Sequence, residues 1–338
     1  MKPHFDQNKI DSVKSLILSS KRIVITTHYK PDGDALGSSL GLWAYLKSLN
    51  IHADVVLPSE FPNFLKWMHG SNETIDFSKT PREAADLIHQ ADLLFCLDFN
   101  DPTRTEGMSD LLIKSSAKKI MIDHHLAPKD FCEYTFSFPE IGSTCELIVH
   151  FMEALDGLSQ ITMDSAACLY AGIMTDTGSF RFSSVTAETH RVVGILLNTG
   201  MRNDIVHEAV YDTSSEDRLR FLGHVLLNNM FVLNEHKAVY FLCTKDDMKR
   251  FNHQSGDLEG IVNYGLSIEG IKMAVLFSER DGIIKISFRS KGDYSVKDLA
   301  EKHFEGGGHK NAAGGKSNLS LEDTVQKFKT ILMENHHA

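Results

Sequence analysis

Short, wholly apolar, β-branched runs alternate with helix-patterned stretches through the first half of this chain, and nothing else constrains its fold as strongly. Lys21 to Thr27 carries Ile23-Val24-Ile25 and is too short for a typical helix. Comparable runs are Ala53 to Leu57, Asp92 to Leu97 and Lys119 to Ile122. After the first run, Leu36, Leu40, Trp43 and Leu46 recur at helical spacing. Strands that are apolar throughout are buried on both faces, and helical connections between them make the sheet parallel. The expected fold class is α/β.

Near residue 186 the pattern changes. Thr186 to Asn198, Asp204 to Tyr211 and Glu216 to Asn229 read as helices. Beyond Met230 the signals are antiparallel. Ala274 to Phe277 and Ile283 to Phe288 flank Arg280-Asp281-Gly282, and Asp-Gly between strand runs marks a hairpin. Ser295 with Asp298 resembles a capping box for a helix reaching about Phe304. A boundary near 213 divides a parallel-sheet domain, 1–212, from a smaller α/β domain, 213–338, with a mixed or antiparallel sheet.

Composition narrows the partners. Of 338 residues, 42% are hydrophobic and 24% charged, which is ordinary globular usage. No apolar run approaches the roughly 20 residues of a membrane span, and the start lacks a signal-peptide layout. The five cysteines form no C-x-x-C pair, so a disulfide framework or thiolate zinc site is not expected, and a cytoplasmic location is. A net charge of −10 disfavours long duplex nucleic acid but leaves short anions open.

Four acidic and histidine clusters follow the apolar segments: His28 to Asp34, Asp98, Asp123-His124-His125, and Asp176. In open α/β sheets, ligands sit beyond the carboxyl ends of strands, where three of these clusters fall. Carboxylates mixed with imidazoles suit Mn, Zn, Fe or Co. Asp32, Asp34, Asp98 and Asp176 together bring about four negative charges, the complement of two divalent ions. Two such ions roughly 3.5–4 Å apart clamp a phosphoryl group during transfer. Without ions, these carboxylates would repel and some would be driven protonated. Each cluster alone has a plainer reading. Asp34, just before Ala35-Leu36, also reads as a helix N-cap, and the tail pair His336-His337 reads as inert.

The spacing H-x-x-x-D-x-D at His28, Asp32 and Asp34, the lone Asp98, Asp123-His124-His125 and Asp176 resemble the DHH phosphoesterase superfamily. Gly306-Gly307-Gly308-His309 within the run to Gly315 resembles the glycine-rich motif of that family's associated C-terminal domain. The length resembles the small branch of nanoRNase and pAp-phosphatase proteins. The resemblance implies two divalent ions, Mn²⁺ with Mg²⁺ or Co²⁺ as alternatives, in an active site between the two domains. It implies His28 and Asp32 on one ion, Asp34, His124 and Asp176 on the other, and Asp98 bridging. Asp123 would orient a ligand histidine or the strand end, and His125 would face the scissile phosphate. Arg289, Gly307, Gly308 and His309 would bind substrate, with Asn263 a weaker candidate; Arg181 would either approach substrate or pair structurally. The implied activity is hydrolysis of short oligoribonucleotides, of 3′-phosphoadenosine 5′-phosphate (pAp), or both. Linear dinucleotides such as pApA, polyphosphate, and RecJ-like attack on single strands stay open as alternatives, as does a regulatory nucleotide-binding module that merely retains metals. No membrane partner is expected, and a homodimer is compatible with the family.

Overall fold

In the computed structural model, which describes residues 2–254 and 256–335, the four apolar runs are strands of one sheet. The tail histidines 336 and 337 lie outside the described residues. The sheet comprises β1 (Ile23–Thr26), β2 (Ala53–Leu57), β3 (Ile75–Asp76), β4 (Leu93–Leu97), β5 (Lys118–Asp123) and β6 (Tyr134–Ser137), in the order β3-β2-β1-β4-β5-β6. Every neighbouring pair is parallel. The order reverses between β1 and β4, the point at which such sheets open a crevice beyond their carboxyl ends.

Helices cover both faces, which is why the central strands β1 and β4 are almost wholly apolar. Ile23, Ile25, Leu93, Phe95 and Leu97 face a core shared with α1 (Gln7–Ser19), α2 (Gly33–Ser48), α5 (Thr144–Ala154) and α6 (Met163–Asp176). Val24, Leu94 and Cys96 face the opposite core, under α3 (Pro81–Gln90) and α4 (Ser109–Lys114). Helices α7 (Ala187–Leu197) and α8 (Asn203–Tyr211) follow, with Thr186 capping α7.

The antiparallel pair α2 and α6 packs unusually closely. Gly33, Gly37 and Gly41 recur every fourth residue along one face of α2. A Cβ on Gly33 would lie 2.4 Å from Thr175 Oγ1, and one on Gly37 would lie 2.6 Å from the Cys168 carbonyl oxygen. At the far end, Ser165 Oγ donates to the Gly41 carbonyl at 2.8 Å. This contact sets Asp34, in the first turn of α2, beside Asp176, the last residue of α6.

The chain divides into two compact units between Thr213 and Ser214. The second unit contains α9 (Glu216–Asn228), α10 (Lys245–Arg250), α11 (Ile261–Gly265), α12 (Val296–His303) and α13 (Leu321–Asn335). Its strands are β7 (Met230–Leu233), β8 (Ala238–Cys243), β9 (Met273–Glu279), β10 (Ile284–Ser290), β11 (Gly307–His309) and β12 (Ala312–Ser317), in the order β11-β12-β10-β9-β8-β7. The β8–β9 pair is parallel and the others antiparallel, so the sheet is mixed. The Asp-Gly signal falls in the β9–β10 turn, where Gly282 has φ +80°. Ser295 caps α12 by accepting from the Asp298 amide.

The glycine run forms an edge strand, where a glycine triplet after a helix would by itself read as a flexible helix-ending turn. Gly307–His309 pairs antiparallel with Ala312–Gly314. A Cβ on Gly306 would lie 2.0 Å from the Gly314 carbonyl oxygen. One on Gly308, whose φ is +142°, would lie 2.5 Å from that of Ala312. Close approach of main chain to main chain therefore accounts for these two glycines. Gly307 is different: a Cβ there would meet only Glu301 Oε1, at 3.8 Å.

Candidate metal centre and substrate-binding face

Three of the acidic and histidine clusters arrive at the reversal point of the first sheet from adjacent strands. His28 follows β1, Asp98 follows β4, and Asp123-His124-His125 closes and follows β5. Asp98 adopts a left-handed backbone, φ +62°, with its amide donating to the Ile122 carbonyl at 3.1 Å. Aspartate tolerates this conformation better than most residues, at a cost of about 1–2 kcal/mol. The turn sends its buried carboxylate into the crevice.

Around Asp98 the side chains form two trios. His28 Nε2 lies 3.4 Å from Asp98 Oδ2 and 4.0 Å from Asp32 Oδ1. His124 Nε2 lies 3.4 Å from Asp98 Oδ1, 3.5 Å from Asp176 Oδ2 and 3.8 Å from Asp34 Oδ2. The donor atoms of His28, Asp32 and Asp98 lie within 4.8 Å of one another, as do those of Asp34, His124 and Asp176. The outer nitrogens are occupied: His28 Nδ1 pairs with the Tyr29 carbonyl at 2.9 Å, and His124 Nδ1 with that of Ile141 at 3.2 Å. With the proton on Nδ1, each ring turns its Nε2 lone pair inward, as a metal-binding histidine does.

The electrostatics match a cation site. Burial, with Asp98 and Asp176 alongside, pushes the Asp34 carboxyl well above the usual carboxylate range. Burial would raise Asp98 too, but the adjoining His124 and His28 rings hold it well below that range. Burial opposes protonation of His124, yet Asp98 and Asp176 lift the ring well above its ordinary value. The negative charge that draws protons here would also draw divalent cations. Four carboxylates and two inward-facing imidazoles are a chemically fitting donor set for two such ions.

One reading of the sequence changes at this level. The N-cap of α2 is Asp32, whose Oδ1 accepts from the Asp34 and Ala35 amides at 3.1 Å, so Asp34 is not the cap. Its carboxylate is left to face the crevice. Asp123 orients His125 rather than either inward-facing histidine of the trios. Its Oδ1 lies 2.7 Å from His125 Nδ1, and its Oδ2 accepts the His125 amide at 3.0 Å. That contact turns His125 Nε2 away from Asp123.

Sequence reading missed the start of α5. The Thr144 and Cys145 amides donate to Asp34 Oδ2 and Oδ1 at 2.7 and 2.8 Å, and the Thr144 hydroxyl donates to Asp98 Oδ1 at 2.9 Å. A signal existed: Ser143-Thr144-Cys145-Glu146 has the S-x-x-E form of a helix start, and Ser143 does cap α5.

In the second unit, Ala312 is paired with Arg289 on one side and His309 on the other. Directly paired residues point to the same face, so Arg289 and His309 flank a small alanine in one row. Ala274, also paired with Arg289, extends the row. Asn263 lies on α11, where a Cβ on Gly265 would lie 3.0 Å from Ala274 Cβ, so that helix packs closely against the strands. Arg181 Nε, in the first unit, donates to the Gly178 carbonyl at 2.8 Å.

Comparison with known proteins gives the family. The DHH family N-terminal domain matches residues 22–173, and the DHHA1 domain matches residues 235–334. The bifunctional oligoribonuclease and PAP phosphatase NrnA of Thermus thermophilus is 31% identical over 92% of this chain and 88% of its own length. The protein of the same name from Mycoplasma genitalium is 32% identical over 91% and 94%. Among solved structures, an exopolyphosphatase-related protein from Bacteroides fragilis is 41% identical, with a TM-score of 0.95 over 97% of this chain and 96% of that one. Fold, donor set and relatives define a phosphoesterase of the class that uses divalent metal ions. The chain belongs to the DHH family, with a DHHA1 domain after the DHH domain. Among the described residues, no helix is long and apolar enough to cross a membrane.

Proposed function

We propose that this protein hydrolyses short oligoribonucleotides to mononucleotides and removes a phosphate from pAp. The observation that carries this reading is the pair of neighbouring trios, with Asp98 of the first lying against His124 of the second. His28 and Asp32 would hold one divalent ion and Asp34, His124 and Asp176 the other, with Asp98 placed to serve both. Mn²⁺ is the proposed ion, since imidazole mixed with carboxylate suits it better than Mg²⁺. When bound, such a pair supplies a nucleophile near neutral pH and offsets charge on the phosphoryl group. Asp123 fixes the His125 ring, and His125 assists the leaving oxygen. Arg289 grips a substrate phosphate bidentately, the Gly307–Gly308 backbone lies against the substrate, and His309 and Asn263 contact sugar or base. NrnA relatives over nearly full length support nucleotide substrates. The net charge of −10 favours short substrates, because a long strand would meet uncompensated negative surface.

A second reading, polyphosphate hydrolysis, is favoured by the 41% identical relative described as exopolyphosphatase-related. One substrate panel separates the readings: pAp, pApA, five- and twenty-nucleotide RNA, and polyphosphate, each with Mn²⁺ and with Mg²⁺. The proposal expects pAp and the short RNAs to turn over fastest and the twenty-nucleotide RNA slowly. Fastest turnover of polyphosphate, or a rate that rises with RNA length, would reject it. Asp98→Ala should lower turnover by about a hundredfold or more, the scale of losing a charge-stabilising element worth about 3 kcal/mol.

A further inference from the structure

The two carboxylates nearest the centre of the site are held by one short stretch of chain. Asp34 sits on α2 and Asp98 follows β4, elements that are far apart in sequence. Both reach the first residues of α5. The Thr144 and Cys145 amides have no partner within their own helix, being its first two residues, and each takes one oxygen of Asp34. The Thr144 hydroxyl takes Asp98 Oδ1, the oxygen that also faces His124. Thr144 is fully buried, so no water competes for these bonds.

We infer that Thr144 is the positioning residue that couples the two ion sites, by fixing the Asp98 carboxylate relative to Asp34. The inference rests on the reading of Asp34 and Asp98 as metal ligands. A carboxylate oxygen has two lone pairs. The Thr144 hydroxyl takes one on Oδ1 and leaves the other toward His124, while Oδ2 stays toward His28. Without that hydroxyl, Asp98 rotates about its terminal bond and no longer presents one oxygen to each trio. Partners behind metal ligands commonly change ion affinity by about 10–100-fold. The loss should fall mainly on the ion of the Asp34, His124 and Asp176 trio, because Oδ1 faces that trio.

The test compares Thr144→Val, which keeps shape and loses the hydroxyl, with Thr144→Ser, which keeps the hydroxyl. Mn²⁺ binding is read by calorimetry and by the paramagnetic signal of the ion pair, and folding by thermal melting. Wild type should bind two ions with a coupled signal. Thr144→Val should melt as a folded protein, bind one ion near wild-type affinity and the second at least about tenfold more weakly, and lose the coupling. Thr144→Ser should restore both ions. Two wild-type ions with unchanged binding in Thr144→Val would overturn the positioning role and leave the metal assignment intact. Absence of metal binding in wild type would overturn both. Loss of the second ion in Thr144→Ser as well as Thr144→Val would show that side-chain shape, not the hydroxyl, matters, and would also overturn the inference.

Discussion

Replacing Gly172 by alanine tests whether helix packing sets the geometry of the metal centre. A Cβ at this position would lie 2.2 Å from Cys145 Sγ, 3.1 Å from Asp34 Cα and 3.1 Å from Asp34 Oδ1. All three neighbours are buried, and two belong to the acid that the Cys145 amide holds. Overpacking of this kind costs about 1–3 kcal/mol. The Cys145 sulfur is the closest obstacle. Gly172→Ala should therefore destabilise by about 2–3 kcal/mol in urea titrations followed by circular dichroism. It should also weaken Mn²⁺ binding by calorimetry, because relief of the clash moves Asp34. Cys145→Ala alone removes a small apolar group and should cost about 1 kcal/mol. In the double variant the sulfur clash is gone, so the two costs should fail to add by about 1–2 kcal/mol in the favourable direction. Gly172→Ala within about 0.5 kcal/mol of wild type, with unchanged ion affinity, would refute the reasoning.

Arg289→Ala should raise KM for nucleotide substrates with little change in metal content or in hydrolysis of a generic activated phosphodiester; an equal collapse on the generic ester would make the arginine structural or catalytic. Gly308→Ala should lower melting temperature, because its Cβ would sit 2.5 Å from the Ala312 carbonyl oxygen at φ +142°, whereas Gly307→Ala should melt like wild type. Reduced nucleotide affinity in Gly307→Ala would then report direct approach of substrate, and unchanged affinity would remove Gly307 from the binding face. Glu153 tests the pH response: partial burial would raise its carboxyl, but Arg191 and Lys2 hold it down to about 2. Its contribution, up to about 3 kcal/mol, is fully present above the unfolded value of 4.5 and is lost as pH falls toward 2. Glu153→Gln should be less stable than wild type in urea at pH 7 and should lose less on going to pH 3; parallel declines of the two proteins would contradict this.

The sheet and its ligand crevice were legible because their physics is local and periodic. A strand buried on both faces must be apolar throughout, so Ile23 to Ile25 and Leu93 to Leu97 announce themselves. Groups carried past strand ends meet by topology, so the grouping of His28, Asp98 and His124 is visible in the sequence. The roles of Asp32 and Asp34 were harder to separate. Either can cap a helix, and only the turn geometry decides that Asp32 accepts the amides while Asp34 points inward. The strand at Gly307–His309 was illegible for a related reason. Glycine permits both a loop and a closely packed edge, and the choice depends on the Ala312 and Gly314 carbonyls across the hairpin. Thr144 gives no sign of its role in the sequence because its partners are 110 and 46 residues away.

A concentration of carboxylates is costly to assemble, and the contacts around this one explain how the fold bears it. Each acid is tied to an element whose position is set by something other than the ions. Asp98 is fixed by its left-handed turn and the Ile122 carbonyl. Asp34 and Asp176 are brought together by glycine-mediated approach of α2 and α6, where Gly37 admits the Cys168 carbonyl. The α5 amides then offset the Asp34 charge with first-turn donors that the helix fixes in place but leaves without partners of its own. The better-exposed acids are those at the rim, Asp32 with 58% and Asp176 with 33% of the side chain accessible, against 1% for Asp34 and 3% for Asp98. Water can screen the rim pair, so repulsion is sharpest between the two interior acids, Asp34 and Asp98. Those are the two that α5 holds, which makes its first turn as much a condition for the charge cluster as the strands that deliver it.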